Sequence, residues 1–153
     1  MNLRPSKIND LALLFDIHQS VFRSHIEKLW GWDEDWQREN FASECATSET
    51  SVIEVDGHIA GYIQLLEQES LIYIQNIAIS PTFQGKGIGT LLLKNLQSSA
   101  AVKKITICLG VFQTNRSAQR LYEQLGFHTI GKTDTHINMS WVPPLLSEEF
   151  GNP

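Results

Sequence analysis

The chain has 153 residues, 42% of them hydrophobic, and a formal net charge of −5. That length suits one domain with a real core, and the composition excludes a disordered chain or a fibrous repeat. The acidic balance argues against broad nucleic-acid binding, and no apolar run nears the roughly 20 residues of a membrane span.

In chain order, "MNLRP" reads as a short strand ended by Pro5. From Ser6 the pattern turns helical: Leu11, Leu14, Phe15, His18 and Phe22 form a one-sided apolar stripe. Ser6 is the expected cap, with Asn9 and Asp10 in the first turn. After a break at Gly31, a second helix is expected between Asp33 and Cys45. Val52 to Val55 and Ile59 to Leu65 read as a hairpin around Asp56-Gly57, a pair suited to a tight turn. "LIYIQNIAI", Leu71 to Ile79, is almost continuously apolar and is expected to be a central strand covered on both faces. Ile88, Leu91, Leu92 and Leu96 pattern a helix, and "KKITICLGV", from Lys103, a further buried strand. "NRSAQRLYEQLGF" reads as a short helix closed by Gly126. Residues 127–141 read as two last strands around a turn near Lys132 to Asp134, and 143–153 as a weakly patterned tail. The order predicts α/β architecture with a mixed sheet, in a single domain over 1–142.

Cys45 and Cys108 form no CxxC or Cys/His cluster, so reduced thiols are expected rather than a disulfide framework or a zinc site. The first ten residues lack the charged-then-apolar layout of a secretory signal, and the expectation is a cytoplasmic protein. Between Glu27 and Glu39 five acids alternate with Trp30, Trp32 and Trp36. Such a run is either a solvated helix face or an aromatic-walled pocket that attracts cations.

The stretch "SPTFQGKGIGTLLLKNL" carries Gly85, Gly87 and Gly89 directly before a helix. It is not a Walker loop, because Gly87 stands where the hydroxyl residue belongs. It is not a dinucleotide fingerprint, because "GKGIGT" runs GxGxG. Its physics is still that of an anion seat: amides at the positive end of a helix dipole, with no β-carbon in the way. The same pattern also suits a turn with nothing bound.

Read with "NRSAQRLYEQLGF", the loop resembles the first of two signature segments of the GNAT superfamily of acetyl-CoA-dependent N-acetyltransferases. Gln84, Gly87 and Gly89 match one segment; Asn115, Ala118, Leu121, Tyr122, Gly126 and Phe127 match the other, about 30 residues on. The likeness covers roughly residues 2 to 141. It implies a mixed sheet flanked by helices, with acetyl-CoA as co-substrate in a cleft between two splayed strands and with no metal needed. It implies pantetheine contacts at Ile77, Ala78 and Ile79, and a pyrophosphate seat from Gln84 through Gly85, Lys86, Gly87, Ile88 and Gly89 to Thr90. Asn115 and Ser117 either meet the pantetheine or cap their helix.

Tyr122 matches the family tyrosine near the thioester sulfur, implied to protonate the leaving thiolate. The acceptor implied is a primary amine on a small cationic molecule or a protein, with Glu27, Trp30, Trp32 and Gln75 as its candidate contacts. Nucleic acid and membrane are not expected as partners, and a homodimer is left open. Where relatives carry a glutamate on the strand before the loop, this chain has Gln75 and Asn76, which take no proton. Glu67, Glu69, Glu27, His18, His25 or a water relay remain as routes for the amine's proton. A non-catalytic acyl-CoA-binding module is the alternative.

Overall fold

The computed structural model describes residues 1–144. The sheet is built from β1 (Asn2–Pro5), β2 (Glu49–Val55), β3 (His58–Glu67), β4 (Leu71–Ile79), β5 (Thr106–Phe112), β6 (His128–Lys132) and β7 (His136–Trp141). The helices are α1 (Leu11–Trp30), α2 (Glu34–Thr47), α3 (Ile88–Lys103) and α4 (Arg116–Gln124). The strands follow in the order β1-β2-β3-β4-β5-β7-β6, and the fold is mixed α/β, as the pattern predicts. The described residues form two compact units, one of residues 1–66 with 74–89, the other of 67–73 with 90–144. Of the tail, 145–153 lie outside the described residues.

In the first unit β1, β2 and β3 pair antiparallel. Asp56 and Gly57 take φ of 52° and 78°, as their turn requires. Of the stripe expected on α1, Leu14, Phe15 and His18 are buried and Leu11 and Phe22 partly so; Leu14 and Phe15, joined by Ile17, pack with Phe41, Val52, Tyr62 and Ala78. Gly61 is dictated by close approach, since a β-carbon there would lie 2.1 Å from the Ala78 carbonyl oxygen. The strands β3 and β4 meet at this point with no room for a side chain.

Three local expectations are corrected. Ser6 caps nothing; the α1 cap is Asp10, preceded by a 3-10 turn at Ile8–Asp10. Asp10 accepts from the Lys7 amide at 2.8 Å and pairs with Arg4, which also holds Glu54 on β2, and this ionic tie sets where the helix starts. The second helix runs past Cys45 to Thr47, beginning as expected after Asp33, whose carboxylate accepts from the Trp36 amide at 3.1 Å. The strand β4 is not closed on both faces: Ile72, Ile74 and Ala78 are buried, whereas Tyr73, Gln75, Ile77 and Ile79 are half-buried.

In the second unit β7 pairs antiparallel with both β5 and β6. The strand β5 begins at Thr106 rather than Lys103, because α3 continues to Lys103 and Lys104 ends it with φ 59°. Leu92, Leu93, Ile107, Leu109, Tyr122, Phe127 and Met139 are buried here. Asn115 caps α4 and Gly126 takes φ 91° after its end, as the sequence predicts.

Candidate active site

The glycine loop leaves β4 through a 3-10 turn, Pro81–Phe83, and reaches α3 at Ile88. Gln84 pins the turn, its Nε2 donating to the Ile79 carbonyl at 2.8 Å. Gly85 and Gly87 take φ of 75° and 79°, a conformation costing an L residue roughly 1–2 kcal/mol. Nothing lies within 4 Å of where their β-carbons would be, so these glycines open the loop's outer side. Gln84, Gly85, Lys86 and Gly87 are exposed, Gly89 and Thr90 half-buried, and Ile88 anchors the helix from inside. The first turn of α3 has N–H groups that no helical carbonyl accepts, and carries no acidic side chain to occupy them. The Lys86 ammonium lies 5.3 Å from the Phe83 ring centre, adding positive charge beside the loop.

Ala78 is buried against Gly61, and the Ser80 amide donates to the Ala60 carbonyl at 2.7 Å, which fixes the end of β4. Ile77 and Ile79 flank Ala78 on the half-buried face.

On α4, the Asn115 side chain accepts from the Ala118 amide at 3.3 Å and lies 3.3 Å from the Ser117 hydroxyl. Its cap is thus built with no ligand required. Tyr122 is buried, its ring 5.6 Å from that of Phe127, and burial pushes its hydroxyl up to about 12.

Two of the five acids in the tryptophan-rich segment, Glu27 and Glu34, are held in ion pairs. Glu27 pairs with Arg23, whose guanidinium also lies 5.1 Å from the Trp32 ring. Trp32 packs on Phe15 and donates to Glu34 at 2.7 Å, and Glu34 pairs with Arg38. Trp30 is exposed at the end of α1. Glu27 and Trp32 therefore share one arginine, and Gln75 belongs to a different cluster.

Among the routes left open for the amine's proton, Glu67 pairs with Lys103 at 3.7 Å and Glu69 is exposed. His18 lies inside the aromatic core, its Nδ1 2.7 Å from the Tyr62 hydroxyl, and burial lowers its pKa to about 4. Burial and Lys28 also lower that of His25.

The residue that sequence reasoning missed is Glu44, in the last turn of α2. It accepts from Asn76 on β4 at 3.2 Å and from Asn40 at 3.0 Å, and burial raises its pKa. The signal was available in part: Gln37, Phe41, Glu44 and Cys45 fall at i, i+4, i+7 and i+8, the inward stripe of α2.

A family model of the Acetyltransferase (GNAT) family matches residues 11–127. The chain belongs to this acyltransferase family. Among curated proteins, it is 28% identical over 133 residues to one of Bacillus subtilis (strain 168), named as a candidate ribosomal protein bS18-alanine N-acetyltransferase. That match covers 84% of this chain and 82% of the relative. Of three further curated relatives the chain spans only 28% to 36% of the length, so that likeness rests on one segment of longer proteins. Among solved structures, a protein of Pyrococcus horikoshii OT3 superposes with TM-score 0.77 at 26% identity, covering 94% of this chain and 99% of that one. The PaiA N-acetyltransferase of Thermoplasma acidophilum, crystallised with coenzyme A, gives TM-score 0.76 at 18% identity, covering 92% and 98%. The acetyltransferase fold expected from the two signature segments is the fold of this chain. No helix among the described residues is long and apolar enough to cross a membrane.

Proposed function

We propose that the protein transfers an acetyl group from acetyl-CoA to a primary amine by direct attack, with both substrates bound. The observation that carries this reading is the loop from Gln84 to Thr90. It combines two left-handed glycines, an open outer side, a nearby lysine and an acid-free helix N-terminus, which is a seat for a pyrophosphate.

The half-buried face of β4 at Ile77 and Ile79 suits the pantetheine arm, and a β4 N–H near Ile77 serves the developing oxyanion. Asn115 caps α4 with Ser117 donating to its Oδ1, and both present their remaining hydrogen-bonding capacity at the helix start. The amine's lone pair attacks the acyl carbon, the C–S bond breaks, and the electron pair stays on sulfur.

Tyr122 stabilises that sulfur by donating a hydrogen bond. Complete proton transfer from a hydroxyl near 12 to a thiolate whose acid has a pKa of roughly 8.5 costs about 5 kcal/mol, so donation rather than full transfer is its part.

The acceptor class is a primary amine. The name of the Bacillus subtilis relative brings the α-amino group of a protein's N-terminal alanine within that class. Calorimetry with coenzyme A, followed by thiol release from acetyl-CoA across a panel of amines, tests the proposal. Heat of binding with turnover supports it; binding without turnover on any amine turns the reading to the acyl-CoA-binding module; no binding removes both.

A further inference from the structure

The cluster around Glu44 has more hydrogen-bond acceptors than donors. Both Glu44 oxygens accept from amides, Oε1 from Asn40 at 3.0 Å and Oε2 from Asn76 at 3.2 Å. The same Asn76 nitrogen donates to the Gln64 oxygen at 2.7 Å, and the Gln64 nitrogen is committed to the Cys45 sulfur at 3.3 Å. The Gln75 amide nitrogen faces Glu44, and its Oε1 is buried with no hydrogen-bond partner. Reversing that amide would turn its oxygen onto a carboxylate. An ionised carboxylate offers about four acceptor sites, so with Asn40, Asn76 and Gln75 against it about one remains on Glu44, beside the unsatisfied oxygen of Gln75.

Charge tells the same story. Among the described residues no lysine, arginine or histidine pairs with Glu44. The titratable groups that sense it are Cys45 on its own helix and Tyr62 on β3, both neutral at pH 7 because burial raises their pKa values. A half-buried carboxylate with no cation of its own costs free energy that an incoming cation recovers. A primary ammonium brings one positive charge and three N–H donors, the two things this cluster lacks.

Resting on the transfer reading above, we propose that Glu44 is the acceptor's binding carboxylate and its general base, doing from α2 what Gln75 and Asn76 cannot do from β4. The ammonium donates to Glu44 and to Gln75 Oε1, one proton passes to the Glu44 carboxylate, and the neutral nitrogen attacks the acyl carbon. The C–N bond forms and the C–S bond breaks. The second nitrogen proton ends on the departing sulfur, so the products are an amide, a free thiol and a protonated Glu44 that returns its proton to water. Gln75 stands two residues from Ile77, about 7 Å along the strand, which sets amine and oxyanion donors on neighbouring positions of one element. Burial raises the pKa of Glu44, in the direction a base working near neutral pH requires.

The test compares the full-length wild type with Glu44→Gln and Glu44→Asp, using spermidine and an alanine-initiated peptide as probes. For Glu44→Gln, kcat/KM falls about a hundredfold at pH 7. Its pH profile then climbs tenfold per unit toward the amine's own pKa, because only amine already neutral in solution reacts, while the wild type levels off. Glu44→Asp recovers part of the loss, and coenzyme A binds all three proteins with the same calorimetric affinity. A Glu44→Gln protein with wild-type kcat/KM and an unchanged profile overturns the assignment and leaves the acetyltransferase reading standing. A wild type that neither binds coenzyme A nor turns over either probe removes both.

Discussion

The Nδ1 of His18 and the hydroxyl of Tyr62 lie 2.7 Å apart inside the first unit, joining α1 to β3 by one buried hydrogen bond. Phe22 and Phe41 surround the imidazole at centroid distances of 5.1 and 4.8 Å. The ring stays neutral because burial withdraws solvent from its charged form.

A pH dependence of stability follows. The folded pKa of His18, about 4, lies below the unfolded value of 6.5, so the unfolded chain binds the extra proton first. The contribution is fully present above pH 6.5 and is lost as pH falls toward 4, amounting to about 3 kcal/mol. Urea unfolding at pH 7 and pH 4.5 measures it. The His18→Gln protein, lacking the titrating ring, loses distinctly less stability over that interval; equal losses would exclude His18 as the source.

Gly61 gives a second expectation, of a steric kind. A methyl group there meets backbone, the Ala78 carbonyl oxygen at 2.1 Å, and neither β3 nor β4 can yield without breaking their close approach. Gly61→Ala lowers stability by about 3 kcal/mol or more. Denaturation midpoints check this, with Gly131→Ala, where nothing lies within 4 Å, as the tolerant control.

What the sequence made legible here was local. The Asp56-Gly57 hairpin, the stripe of α1 and the Asn115-to-Gly126 helix each carry their own turn, period or cap, and each is where the pattern puts it. Ser6 misled because the true start of α1 is set by Arg4 and Asp10, an ion pair whose second arm reaches Glu54, 50 residues on. Glu44 was hidden for the same reason. A glutamate in a helix is solvated by default, and this one is made unusual by Asn76, 32 residues away. The loop glycines were visible as glycines, whereas the pairing of Glu27 with Arg23 and of Glu34 with Arg38 was not, because charge runs show nothing of their partners.

The proposed coenzyme seat can be probed without disturbing the fold. At Gly87 an added β-carbon meets no protein atom within 4 Å, and the positive φ costs roughly 1–2 kcal/mol of stability. Gly87→Ala therefore still folds, with a slightly lower urea midpoint, while its calorimetric affinity for coenzyme A falls about tenfold because the methyl group stands where the pyrophosphate must approach. Unchanged affinity would mean that the diphosphate does not lie on this loop.

Tyr122 separates the two roles a buried tyrosine can have. As core filling, its loss of a hydroxyl costs little, since the ring and its contact with Phe127 survive in Tyr122→Phe. As a donor to the leaving sulfur, the same change removes an interaction that strengthens only as negative charge develops, so kcat falls while binding of acetyl-CoA does not. The expected loss is ten- to a hundredfold in kcat, with coenzyme affinity within about a factor of two. The pH profile adds a second check: a hydroxyl held near 12 contributes no inflection between pH 6 and 10, so Tyr122→Phe lowers the whole curve without moving it. A curve that shifts along the pH axis instead would make Tyr122 a titrating acid, and an unchanged kcat would return it to the core.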